Sequence, residues 1–294
     1  MKASSIPIAI LAALFAAAIP ASAESPVETL VAAYVRSIQE VDLSAFDGLL
    51  ADDFSAYVGG WGPSSCVTFD KQGFTNHIAG WQSTWATNNT LFRTKGKIQA
   101  GNTLALVLSI GYFSKPGMPG GAVNADEVLQ FFWTNAAGTQ ITRFVELSGL
   151  VPAPNATAML NAVWNPWVDG TNTRNASMIA GTLADDVQIT AHYDDENAPA
   201  GYPPSPQSYS KAGYMAFLEN DTFLHAQSLN LVPIEANAAC TNYVWNYDTS
   251  FLLNNATQPS ANMVEYHIAY MRLDEENQVV EAATWSLYGV PGPN

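Results

Sequence analysis

Leu49-Leu50-Ala51-Asp52-Asp53 recurs in this chain as Thr182-Leu183-Ala184-Asp185-Asp186, and what surrounds the two copies recurs with them. Asp70-Lys71-Gln72-Gly73-Phe74 returns as Ser210-Lys211-Ala212-Gly213-Tyr214, and the stretch from Asp126 to Trp133 returns from Glu265 to Arg272. The offsets are 133, 140 and 139 residues. Three landmarks in one order, at a nearly constant offset, mark a duplicated domain. The duplication divides the chain into a first domain over 24–150, a proline-containing linker over 151–155 and a second domain over 156–294. Each copy also serves as a control for the other. A residue found in only one copy is not required by the fold alone.

Working outward from the landmarks, Leu30, Tyr34 and Ile38 sit at helical spacing. A second helix is expected from an Asp42 cap to Ala51, closed by Asp52-Asp53. A short strand over Phe54–Val58 follows, then a third helix that Asp70 caps and that runs to Trp81. Extended segments come last: Thr90–Ile98, Thr103–Phe113, Asp126–Thr134 and Gln140–Leu147. The second copy repeats the plan. Its helices are expected over Met159–Val168, Asn175–Ala184 and Lys211–Glu219, and its strands over Val187–Ala191, Phe223–Pro233, Ala238–Tyr247, Met263–Leu273 and Val279–Leu287. Helices first and long strands afterwards predict the α+β class: two tandem cone-shaped domains, each a curved antiparallel sheet with about three helices on its concave side.

Residues 1–23 stand apart from this plan. Lys2, the apolar run Ile6–Ile19 and the small residues Pro20-Ala21-Ser22-Ala23 read as a signal peptide cut after Ala23. The expectation is a secreted, extracellular protein, or a periplasmic one in a bacterium, with no membrane segment after cleavage. A net charge of −15 leaves no surplus of Lys and Arg for phosphates, which argues against nucleic acid and anionic membrane surfaces as partners. Cys66 and Cys240 are too few for a disulfide scaffold; in an oxidising compartment they bridge the two domains or stay as buried thiols. Asn88, Asn155, Asn175, Asn220 and Asn255 head N-x-S/T sequons, glycosylation candidates in a eukaryotic secretory pathway.

The order of helix, Leu-Ala-Asp-Asp, short strand, third helix and long meander resembles the nuclear-transport-factor-2-like fold, which includes the SnoaL-like polyketide cyclases and the ketosteroid isomerases. Ala33-Tyr34-Val35-Arg36-Ser37-Ile38, followed by Asp42-Leu43 and Leu50-Ala51-Asp52-Asp53, is similar to the opening of the isomerases. The run from Met271 to Val280 resembles their last hairpin. The resemblance implies a small-molecule pocket inside each cone and acid–base chemistry by side chains, with no metal and no organic cofactor. Isomerase chemistry needs a carboxylate base and two hydrogen-bond donors for an enolate oxygen. Tyr34 stands at the first donor position, and Trp167 replaces it in the second copy. Val58 and Ala191 occupy the base position, and Gln130 and Ala269 the second donor position. One part of three survives in the first copy and none in the second, so steroid-type isomerisation is not supported.

Other side chains offer chemistry. His192 follows the first strand of the second copy, and His267 shares a strand face with Glu265 by two-residue alternation. Either is a candidate general base beside Tyr34, with Glu265 orienting His267. Gln130 and Arg143 are expected on one face with Tyr34, where they would bind a carbonyl or carboxylate; the alternative pairs Arg143 with Glu127 or Glu146 outside the pocket. Trp167 lines the second pocket. The four histidines lack metal-ligand spacing. Three functions follow: a lyase, isomerase or cyclase; a non-catalytic ligand-binding or interaction module whose domains pair sheet against sheet as a pseudo-dimer within the chain; or an enzyme similar to the metal-independent carbonic anhydrases, of whose terminal His and Ser run only Ser148 and a closing proline have an echo. The copies disagree at Tyr34 against Trp167, Gln130 against Ala269 and Arg143 against Ala282. At most one cone is therefore expected to do chemistry.

Overall fold

Leu50-Ala51-Asp52-Asp53 opens a strand; it does not close a helix. A computed structural model of the chain describes residues 25–61, 66–84, 91–113, 115, 122–148, 153–173, 175–193, 205–220, 228–240, 242–253 and 262–289. The expected leader, Asn88 and Asn255 lie outside the described residues, as does the side chain of Glu265. In the first domain, helix α1 (Pro26–Glu40) leads through a 3₁₀ turn (Leu43–Ala45) into the one-turn α2 (Phe46–Leu49). Strands β1 (Leu50–Gly59) and β2 (Val67–Asp70) precede α3 (Lys71–Thr84). Four long strands complete the domain: β3 (Leu91–Ala100), β4 (Thr103–Phe113), β5 (Ala122–Thr134) and β6 (Ile141–Ser148).

The second domain repeats the order with a broken first helix: α4 (Ala156–Met159), a π-helical turn (Leu160–Trp164), α5 (Asn165–Thr173) and α6 (Ala176–Ala180). Then come β7 (Leu183–Tyr193), β8 (Gln207–Tyr209), α7 (Lys211–Asn220), β9 (Ser228–Ala239), β10 (Tyr243–Leu253), β11 (Asn262–Leu273) and β12 (Val279–Gly289). Each domain carries a six-stranded sheet, ordered β2-β1-β6-β5-β4-β3 and β8-β7-β12-β11-β10-β9. The sheets are mixed, because β1 runs parallel to β6 and β7 parallel to β12. The expected break before Ala238 is absent, and β9 runs through Pro233 to Ala239. Proline is tolerated there because β9 is an edge strand and the ladder shifts register between Tyr247 and Asp248, beside it.

The repeated landmarks hold each other. Lys71 Nζ donates to the carbonyl oxygen of Leu50 at 2.8 Å, and Lys211 Nζ donates to that of Leu183 at 2.8 Å. Asp70 Oδ1 accepts from Gly73 N–H at 2.7 Å, and Ser210 Oγ accepts from Gly213 N–H, so both residues cap the helix that follows. The lysine thus clips the third helix to the start of the first strand, which explains why the two motifs recur together. At the N-terminus of α1, Ser25 and Glu28 form a reciprocal capping box, with Pro26 in the first turn.

Three cores hold the molecule. One fills the first cone, where Leu30, Tyr34, Phe46, Phe74, Phe132 and Phe144 pack between helices and sheet. A second fills the other cone, around Met159, Val163, Trp167, Ile189 and Met271. The third lies between the two sheets, where Val107, Leu129, Phe131 and Val145 of the first domain meet Tyr243, Trp245, Tyr270 and Trp285 of the second. Trp245 and Trp285 are fully buried there. Phe131 packs on Trp285 at 4.8 Å between ring centroids, and Tyr57 stacks on Tyr243 at 4.4 Å. Each such buried ring contributes on the order of 2–3 kcal/mol. Cys66 and Cys240 form a disulfide across the same junction, with Cα atoms 5.8 Å apart.

Candidate functional site

A cavity of about 150 Å³ opens in the first cone, lined mainly by apolar groups such as Ile38, Val58, Phe92, Ile110 and Phe144. Four kinds of polar group enter it: Tyr34 from α1, His77 from α3, Gln130 from β5 and Glu146 from β6. Trp61, which follows β1, closes one side. The sheet register brings these residues together. Gln130 pairs with Glu146 across β5 and β6, and Val58 pairs with Glu146 across β1 and β6. A carboxylate therefore stands on the neighbouring strand, directly opposite Val58.

Glu146 is clamped. Trp61 Nε1 donates to Oε1 at 2.5 Å, and Gln130 Nε2 donates to Oε2 at 2.5 Å. Burial pushes the Glu146 carboxyl above its ordinary pKa, although these two donors pull the other way. The Tyr34 phenol is raised well above its usual value, by burial first and by the Glu146 charge second. Rings surround Tyr34: Phe46 at 5.7 Å, Phe132 at 5.7 Å and Phe144 at 5.8 Å. Its hydroxyl has no hydrogen-bond partner among the described residues. His77 is exposed on α3 although its ring lines the cavity, and the burial it does have lowers its pKa, so the imidazole is mostly neutral at pH 7. It packs on Phe69 at 4.8 Å and Phe74 at 6.4 Å between centroids.

The loop before Trp61 is fixed by Gly60, whose φ is +81°. A Cβ there would lie 1.8 Å from the carbonyl oxygen of Ser148, so the close approach of this loop to the end of β6 requires glycine. The approach carries Trp61 to Glu146.

Of the residues expected in a site, Tyr34 and Gln130 do line the cavity. Arg143 does not. Residues alternate along β6, so Phe144 and Glu146 face the cone while Arg143, Val145 and Leu147 face the second domain. Arg143 Nη2 donates to Glu281 Oε1 at 2.5 Å and to the Tyr270 hydroxyl at 3.1 Å, and its guanidinium lies 4.6 Å from the centroid of Trp133. Its counterpart in the repeat is Glu281 and not Ala282: Ser55 pairs with Arg143 as Gln188 pairs with Glu281.

His192, a candidate base, does not line the cavity. It is 2% exposed and stacks on Trp285 at 4.7 Å between the two sheets. Trp167 Nε1 donates to Thr182 Oγ1 at 2.7 Å, which ties its polar atom to the fold. His267 sits on β11 opposite Asp248 and Ser286, on the face that carries Met271 towards the second core. Glu265 lies two residues earlier on that strand, opposite Ser250 and Tyr288. Where the first cone has Glu146, the second has Thr284, since Val58 pairs with Glu146 as Ala191 pairs with Thr284.

Sequence reasoning missed Glu146, Trp61 and His77. The signal for Glu146 was present: an acid two residues beyond Phe144, in an apolar strand, found in one copy only. Among the described residues no cluster of His, Cys, Asp and Glu could hold a metal ion, and no helix is long and apolar enough to cross a membrane.

No protein-family model and no curated protein matches the sequence. Solved structures do. A candidate SnoaL-like polyketide cyclase from Shewanella putrefaciens is 11% identical, with a TM-score of 0.36 over 43% of this chain and 92% of that one. An NTF2-like protein from Burkholderia pseudomallei is 12% identical, with a TM-score of 0.36 over 47% of this chain and 97% of that one. An LEH-like epoxide hydrolase from M. tuberculosis is 10% identical, with a TM-score of 0.32 over 45% and 85%. Each likeness covers just under half of this chain and most of the other protein. The chain is a tandem of two α+β domains, similar in fold to SnoaL-like and NTF2-like structures.

Proposed function

We propose that the first domain is an acid–base catalyst for a small, largely apolar molecule, that Glu146 exchanges a proton with it, and that the second domain is a non-catalytic partner. One observation carries this reading: a carboxyl group stands in an apolar cavity, clamped by Trp61 and Gln130, with its pKa raised by burial. A carboxyl shifted towards neutrality is a more effective proton carrier at working pH than an ordinary one. The Tyr34 hydroxyl, which holds no partner among the described residues, is available to an oxygen on which negative charge develops. The fitting reaction class is proton transfer next to a carbonyl, as in an isomerisation or a cyclisation. The second cone has Trp167, Ala269 and Thr284 at the matching positions and supports no such transfer.

Deuterium exchange tests the reading without a known substrate. Cyclohexanone, in a panel of one-ring ketones, is incubated with the protein in D₂O, and α-deuteration is followed by NMR. The wild type is expected to exceed the buffer rate for at least one ketone, and Glu146→Gln to lose about 10²–10⁴-fold. Exchange at the buffer rate across the panel, or an active Glu146→Gln, overturns the proposal. Export by cleavage after Ala23 belongs to the same proposal, and a mature chain that begins elsewhere than Glu24 argues against it.

A further inference from the structure

Resting on the reading of Glu146 as a proton carrier, we infer that His77 is the second proton-transfer residue of the same cavity, and that the two act on one ring-sized, uncharged carbonyl compound. His77 and Glu146 both line a cavity of about 150 Å³. A cavity of this size holds a molecule such as benzene, so a single ligand touches both groups. Among the described residues no Lys or Arg lines the cavity, and an anionic ligand would meet Glu146 without a compensating cation from them.

The duplication separates packing from chemistry. His77 follows Phe74 by three residues, and Phe217 follows Tyr214, the counterpart of Phe74, by the same three. The ring clusters match. His77 lies 4.8 Å from Phe69 and 6.4 Å from Phe74, and Phe217 lies 5.3 Å from Tyr209 and 6.2 Å from Tyr214. The fold therefore asks for a flat ring at this position, and a hydrocarbon ring satisfies it. The nitrogens of His77 are not required by that packing. Neither has a hydrogen-bond partner among the described residues, in contrast to His192, whose Nδ1 contacts Thr103 Oγ1. The nitrogens and the carboxylate also occur together: the first cone has both, and the second has Phe217 and Thr284 instead of both.

The environments suit a division of labour. Burial lowers the pKa of His77 and raises that of Glu146, which moves the imidazole towards its base form and the carboxyl towards its acid form. In the forward step a C–H bond beside the carbonyl breaks, and its proton passes to the unprotonated imidazole nitrogen. The electron pair moves into the new C=C bond, the carbonyl π pair moves onto oxygen, and Glu146 gives that oxygen its proton. An enol, an imidazolium and a carboxylate result. The reverse step returns a proton to carbon, and in D₂O a deuteron.

The variant that tests this is His77→Phe, the residue the second copy already uses. It is expected to fold with the wild-type circular dichroism and melting temperature. With the exchange-active ketone, kcat should fall by about 10²-fold or more with KM little changed. The wild-type pH profile should be a bell, and His77→Phe should lose its acidic limb only. A His77→Phe enzyme with wild-type kcat and both limbs overturns the inference while leaving Glu146 in place; an inactive Glu146→Gln beside an active His77→Phe has the same meaning. Histidine ¹⁵N NMR supplies a readout that needs no turnover. Cyclohexanone should shift the His77 nitrogens, and saturation without a shift overturns the assignment.

Discussion

Acid should loosen the join between the domains through His192. Thr103 Oγ1 donates its proton to the carbonyl of Ala100 at 2.8 Å and accepts from Trp285 Nε1 at 2.9 Å. Its remaining lone pair faces His192 Nδ1 at 3.3 Å, so Nδ1 carries the hydrogen and Nε2 carries a bare lone pair. Nε2 is buried without a partner. Burial lowers the pKa of His192 to about 4 from an ordinary 6.5. The unfolded chain therefore binds a proton below pH 6.5 that the folded chain refuses until pH 4. This stability is fully present above pH 6.5 and is lost as the pH falls through that window. The shift of about 2.5 units corresponds to roughly 3 kcal/mol in full, and to about 2 kcal/mol by pH 5.

Urea unfolding of wild type and His192→Phe at pH 7.5 and 5.0 isolates the effect. Phenylalanine keeps the stack on Trp285 and cannot titrate, so its stability should change less between the two pH values, by about 2 kcal/mol. His77, whose pKa is also lowered, contributes equally to both proteins and cancels. Identical pH dependence in the two proteins would refute the buried-imidazole argument.

Glu281 accepts from Arg143, Tyr270 and Arg272, and burial of its carboxyl is outweighed by these partners, so its pKa is lowered. Glu281→Gln should cost about 2–3 kcal/mol at pH 7 by leaving two guanidiniums without their carboxylate; the penalty should fade as pH drops below the ordinary carboxylate range, which parallel thermal melts at pH 7 and 3.5 would reveal or deny. Gly60→Ala should lose at least about 2 kcal/mol, because it combines a positive φ with a backbone clash, and should also lower the Glu146-dependent exchange by displacing Trp61; a wild-type melting curve would remove the case for a required glycine. Reduction of Cys66–Cys240, which are 174 residues apart, should lower stability by about 4–5 kcal/mol on chain-entropy grounds, with Cys66→Ser equally affected; unchanged unfolding in reductant would contradict it.

The duplication and the α+β plan were legible because they rest on spacing, which survives without coordinates. The succession of the long strands was legible for the same reason, whereas the short β2 and β8 were not. What failed depends on parity. Arg143 and Glu146 differ by three positions, so on a strand they face opposite sides, and only the pairing of Gln130 with Glu146 says which side faces the cone. Leu-Ala-Asp-Asp was misread because Leu49 and Leu50 continue a helical spacing; the tie from Lys71 to the Leu50 carbonyl, a contact 21 residues long in sequence, starts the strand there. His192 was a candidate base because it ends the first strand of the second copy, yet that strand carries it under Trp285. His77 offered no sequence partner, and its meaning came from comparing it with Phe217.

Arg143 and Glu281 occupy one and the same position of the repeat, and they touch. So do Phe131 and Tyr270, at 5.0 Å between centroids. Contacts between a position and its own counterpart are what an isologous, twofold-like pairing produces. Two identical chains docked in this way would set arginine against arginine, or glutamate against glutamate. Joining the halves in one polypeptide lifted that restriction, and the position now carries opposite charges. With arginine on one half and glutamate on the other, this position makes each half complementary to its neighbour and not to a copy of itself.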